Sequence, residues 1–196
     1  MPLPMKVSKI AWLAAILLAI TVAYFAWYHY TFSMGQTTGY EVNTPAAEKS
    51  LLIATQDSPF KRNLTTQLVE RLDTSALFIR VVDVTELATY KCFELDGGYA
   101  YDAVVIMHTW EYGREPRAVT DFLRSVECDG IIYVLTTSGS GVGRLPDYDG
   151  MSAASLHGEI PTALEATEQW VRRTLWQEGL PETAAGGLAG AGNGPE

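Results

Sequence analysis

The chain has 196 residues, 47% of them hydrophobic and 19% charged, which is material for one globular core with attached segments. A net charge of −9 without a clustered Lys/Arg stripe argues against a nucleic-acid partner, because phosphate contacts need concentrated positive charge.

Residues 1–9 form a short stub carrying Lys6 and Lys9. Residues 10–28 then run without a charge, and as a helix they would reach about 28 Å, enough to cross a bilayer. Trp12 at one end and Tyr24, Trp27, Tyr28 and Tyr30 at the other supply the aromatic belts of two membrane interfaces. A cleaved signal peptide is the alternative, but the run exceeds an ordinary signal core and ends in bulky residues where a cleavage site needs small ones. The expectation is a retained single-pass anchor. No Lys or Arg follows the span until Lys49, so the amino terminus is expected in the cytoplasm and the globular domain in a periplasmic or extracellular compartment.

Residues 29–49 are polar, contain Gly35, Gly39 and Pro45, and show no periodicity. They read as a linker. From residue 50 to 178 apolar strands alternate with helical patterns. Leu51 to Thr55 is a short buried strand, and Leu64, Leu68, Val69 and Leu72 mark one helix face. Leu77 to Val82 is a second strand and Ala103 to Met107 a third, continuous and apolar like a strand buried on both faces. A helix opened by Pro116 carries Val119, Phe122, Leu123 and Val126 on one face, Ile131 to Leu135 is a fourth strand, and a last helix carries Ile160, Leu164, Val171 and Leu175. Alternating strands and helices imply right-handed crossovers and a doubly wound parallel α/β sheet. A second helix is expected in residues 85–99 with little pattern to support it, and a short fifth strand in residues 149–155. Residues 179–196, rich in Gly and Ala, read as a disordered tail.

Three loops fall at the carboxyl edge of such a sheet, where open α/β folds bind ligands. The first runs from Gln56 to Thr65, the second from His108 to Pro116, and the third from Thr136 to Gly143. With a Ser/Asn/Thr loop after strand one, Thr109-Trp110 with Gly113 and Pro116 after strand three, and Thr137-Ser138-Gly139 after strand four, residues 50–176 resemble the flavodoxin-like superfamily. That resemblance implies a 2-1-3-4-5 strand order and a noncovalent FMN site. Ser58, Asn63 and Thr65 would hold the phosphate, Thr109, Trp110, Tyr112 and Gly113 would face the isoalloxazine with Trp110 or Tyr112 stacked on it, and Thr137, Ser138, Gly139 and Ser140 would border the ring.

The first loop departs from flavodoxins proper, since no glycine occurs between Gln56 and Thr65. It is closer to the looser loop of NADPH-dependent FMN reductases, with Lys61 and Arg62 offering charge. Residues 149–155, Asp-Gly-Met-Ser-Ala-Ala-Ser, resemble the motif at which extracytoplasmic flavoproteins accept FMN covalently, which would put a phosphoester on Ser155; Ala153 stands where that motif has glycine. Each assignment has a plainer rival. Trp110 can close the sheet edge by packing, Ser58 and Asn63 are common turn and helix-cap residues, and the glycines at 139, 141 and 143 suit any loop.

No metal-ligand spacing links His29, His108 and His157, and no Ser/His/Asp or Cys/His set is apparent, so no catalytic residue is assigned. Cys92 and Cys128 precede neighbouring strands and could approach each other, as a disulfide outside the cytoplasm or as free thiols inside it. Two functions remain open. One is a membrane-tethered FMN protein passing electrons to a membrane redox complex or a soluble partner; the other is a cofactor-free accessory or assembly subunit of a membrane complex.

Overall fold

The computed structural model describes residues 8–32, 35–74, 76–90, 100–110, 114–125, 130–143 and 147–176. It opens with helix α1 (Lys9–Phe32), which extends four residues beyond the expected span. From Ile10 to Trp27 its large apolar side chains are exposed, and the segment Lys9–Trp27 is long and apolar enough to cross a membrane.

The rest is an α/β layer structure. Six strands, β1 (Tyr40–Val42), β2 (Lys49–Thr55), β3 (Leu77–Asp83), β4 (Ala103–Thr109), β5 (Ile132–Ser138) and β6 (Asp149–Ala154), lie in the order β1-β3-β2-β4-β5-β6. The five from β2 to β6 are parallel, and β1 pairs antiparallel with β3. Alternation along each strand feeds two cores. Leu51, Ile53, Val105, Met107, Tyr133 and Leu135 face α2 (Pro59–Leu72) and α4 (Ile160–Trp176), while Leu52, Ala54, Val104, Ile106 and Val134 face α3 (Arg117–Ser125) and a 3₁₀ turn at Val84–Thr89. Each large side chain so buried contributes about 1.5–3 kcal/mol relative to exposure.

Local chemistry sets the element ends. Ser58, in extended backbone, accepts a hydrogen bond from the Lys61 N–H, and Pro59 occupies the first helical position of α2, where its missing N–H costs nothing. Leu64, Leu68 and Leu72 then fall on one stripe and are fully buried. At Gly150 any Cβ would stand 2.0 Å from the Val134 carbonyl oxygen, so only glycine lets β6 lie against β5 there.

Several expectations change. The sheet has six strands, because part of the segment read as a linker joins it. β1 covers the outer edge of β3, and Asn43, at φ 66°, donates from its side chain to the carbonyls of Thr74 and Leu77. The helix expected in residues 85–99 is only the 3₁₀ turn as far as Thr89, with residues 91–99 outside the described set. The last strand has six residues against seven in each of β2 to β5. β4 and β5 run further than their apolar stretches suggest, because the parallel ladder continues through His108↔Thr136 and Thr109↔Thr137. Thr109, Thr137 and Ser138 are therefore strand residues rather than loop residues.

Candidate functional site

The carboxyl ends of β2, β4 and β5 meet and are joined by hydrogen bonds. The Thr109 N–H donates to Oε1 of Gln56 at 2.8 Å, and the Trp110 N–H donates to the Thr137 carbonyl at 2.8 Å. The Thr109 and Thr137 hydroxyls are 2.8 Å apart, and the Thr137 hydroxyl reaches the His108 carbonyl at 3.2 Å. Residues from the three loops singled out in the sequence are thus in one cluster.

Its centre is a residue to which the sequence assigned another role. Lys61 is fully buried, and its ammonium donates to the Thr109 hydroxyl. The spacing shows why: Lys61, Leu64, Leu68 and Leu72 share one helical stripe, so the sheet takes the lysine in with the leucines. Burying an ammonium is tolerated only where polar partners replace water, and the Thr109 hydroxyl at the end of β4 is one of them. Gln56, also missed, carries a side-chain acceptor at the first position after β2.

On the opposite face of β4, His108 is fully buried with Nε2 3.1 Å from the Thr136 hydroxyl. Burial, reinforced by the nearby Lys61 charge, pushes its pKa down to about 4, so the imidazole is neutral at physiological pH. Among the described residues, Nδ1 of His108 and Nε1 of Trp110 are buried without a hydrogen-bond partner.

The residues assigned to phosphate lie apart in role. Ser58 is buried and caps α2 by accepting from the Lys61 N–H. Asn63 is half-buried and accepts from the Gln67 side chain. Thr65 is buried, with its hydroxyl 3.6 Å from the Met107 sulfur. Arg62 is exposed, but Asp57 holds its guanidinium through contacts of 2.7, 2.8 and 3.0 Å. Neither cation of the first loop is thus presented free to a ligand.

The ring side is more open. Trp110 lies against Gly143, where a Cβ would come within 3.2 Å of the indole and where φ of +127° strains any other residue. Gly139 and Ser140 are exposed, and Ser138 donates to the Val142 carbonyl at 2.9 Å, which closes the third loop on itself. Tyr112, Gly113, Cys92 and Cys128 lie outside the described residues. Ser155 is exposed immediately after β6, at the same edge.

A cavity of about 240 Å³ opens on the other side of β2, between the N-terminal half of α2 and the segment leading into β1. Its walls include Gln36, Thr37, Thr38, Gln56, Arg62 and Thr66; of the described residues assigned to FMN only Thr65 reaches it. The residues present therefore fit FMN in part. Trp110 with residues 137–140 could border a ring, whereas the first loop lacks both a glycine turn and an uncommitted cation for the phosphate. No known protein-family model matches the chain, and no curated protein matches it either.

Proposed function

We propose that the chain is a membrane-anchored protein whose flavodoxin-like domain acts as a cofactor-free accessory or assembly subunit of a membrane complex. The parallel order β3-β2-β4-β5-β6, with its crossing at β2 and β4, supports the flavodoxin-like reading, and the charge-free, exposed apolar stretch Ile10 to Trp27 of α1 supports a retained anchor. Lys6 and Lys9 before the span favour a cytoplasmic amino terminus and a domain on the far side. The observation that carries the cofactor-free reading is the burial of Lys61 against Thr109. The cation that could meet a phosphate is turned into the core, where it donates to the Thr109 hydroxyl at the end of β4. The absorption spectrum of the full chain, purified after expression with FMN supplied, tests this. No flavin bands are expected, and stoichiometric flavin would overturn the reading.

A second reading is a membrane-tethered FMN protein passing electrons to a membrane or soluble partner. It draws on Nε1 of Trp110 and Nδ1 of His108, buried without a partner among the described residues, and on the exposed Gly139 and Ser140 of the loop after β5. Bound FMN would supply one- or two-electron chemistry, with Trp110 against the ring and Ser58 and Asn63 offering donors to the phosphate. In that case Trp110→Ala would weaken flavin binding while the fold persists. Colour retained by acid-precipitated protein would point to covalent FMN at Ser155.

A further inference from the structure

The segment after α1 does not behave as a free tether. Gly35 pairs with Asp57 in the loop after β2 through two backbone hydrogen bonds, of 3.1 and 2.8 Å. The Thr37 N–H donates to the Asp83 carboxylate at the end of β3, at 2.7 Å, and β1 follows, paired with β3. The chain therefore enters the domain at the carboxyl edge of the sheet. Only residues 33 and 34 separate the end of α1 from that attachment. Three peptide steps from Phe32 to Gly35 span at most about 11 Å. The helix from Trp27 to Phe32 adds about 7.5 Å. The carboxyl edge thus lies within about 20 Å of the end of the apolar span, and strands of seven residues hold the amino edge about 20 Å further along the sheet.

A second feature of that edge points the same way. Outside α1, the two most exposed large apolar side chains among the described residues are Val142, 71% exposed, and Leu156, 62% exposed. Val142 projects from the loop after β5 and Leu156 from the turn after β6, so both stand at the carboxyl edge. The Val142 carbonyl is held by Ser138, and the Leu156 N–H donates to the Ala154 carbonyl at 2.7 Å, so each is presented from a hydrogen-bonded turn. Exposed apolar side chains carry a cost in water that an interfacial bilayer region removes.

We infer that the strap from Gly35 to Val42 fixes the domain with its carboxyl edge against the lipid surface of the bilayer that α1 enters, with Val142 and Leu156 at the interface. The occupant of this face is lipid, and the inference rests on α1 being a retained anchor. It is independent of any flavin. It also means that whatever binds at Trp110 and residues 137–140 arrives from the membrane plane.

The test uses the full chain in phosphatidylcholine vesicles, with a genetically encoded fluorescent residue at Val142 or, on the amino edge, at exposed Thr74. Headgroup-spin-labelled phosphatidylcholine should quench the Val142 probe several-fold more than the Thr74 probe. A flexible Gly/Ser insert between Phe32 and Gly35 should reduce that contrast. Equal quenching at the two positions in protein that floats with the vesicles after an alkaline wash overturns the inference and leaves the anchor standing. Failure to float overturns both. A photo-crosslinker at Val142 that captures a protein and no lipid in native membranes also overturns it, in favour of a membrane-protein neighbour.

Discussion

The two sides of β2 at the carboxyl edge solve the same problem in opposite ways. Towards β4 and β5, a lysine from α2 is buried and met by the Thr109 hydroxyl, itself paired with Thr137, leaving a polar centre sealed from water. Towards β3 and β1, Arg62 turns outward to Asp57 and the strap leaves a cavity walled by hydroxyl and amide groups. Two adjacent cations of one helix turn thus have different fates, decided by which face of α2 each occupies. A buried charge must be satisfied within the fold, whereas an exposed pair contributes little and can be displaced.

This contrast predicts how strongly each side responds to change. Lys61→Ala should be the most damaging, destabilising the full chain by about 3–5 kcal/mol through loss of a fully buried side chain and its polar contact, read from the denaturant midpoint in detergent. A loss below about 1 kcal/mol would mean that the sealed side is not a structural centre. The buried His108 should make stability pH-dependent on the same side. Its folded pKa of about 4 lies below the ordinary imidazole value of 6.5, so between the two the unfolded chain binds a proton that the folded chain does not. The stabilisation is complete above about pH 6.5 and is lost as pH falls towards 4, by at most about 3 kcal/mol. In His108→Gln that slope should flatten in a pH series of thermal melts.

Smaller effects are expected at the loops. Gly143→Ala should cost about 1–3 kcal/mol, since it combines a positive φ with contact against Trp110, and should shift tryptophan emission as the indole moves. Thr66→Ala, exposed on the cavity side, should stay within about 0.5 kcal/mol. A large loss there would show that the open side is packed as tightly as the sealed one.

Much of the fold was legible because burial on both sheet faces leaves apolar runs that periodicity detects. Leu51 to Thr55, Leu77 to Val82 and Ala103 to Met107 each lie within an observed strand, and the leucine stripe of α2 names its buried face. The strand ends were less visible, since Thr109 and Thr137 look like loop residues until ladder pairing includes them. β1 was not visible at all. Three residues at the sheet edge, two of them exposed, are too short a run to read as a strand, and their pairing depends on β3 being present.

For the candidate site, the sequence located three loops at one edge but assigned their side chains by residue type. Ser58, Thr65 and Lys61 have chemistry suited to phosphate, yet α2 directs Thr65 to Met107 and Lys61 to Thr109. The helical period already placed Lys61 on the leucine stripe, and that signal outweighs its charge once a partner waits at the strand end.

What the amino-acid sequence determined by itself is the local grammar: an uncharged apolar span, alternating strands and helices, a Ser-Pro helix start and glycines where loops must turn. These depend on neighbours a few residues away. What only the tertiary structure decided is which polar groups satisfy one another across long separations: Lys61 with Thr109, Thr37 with Asp83, Gly35 with Asp57. Those pairings fix where the chain leaving α1 joins the sheet, because backbone and charged groups withdrawn from water must find partners wherever the fold brings them.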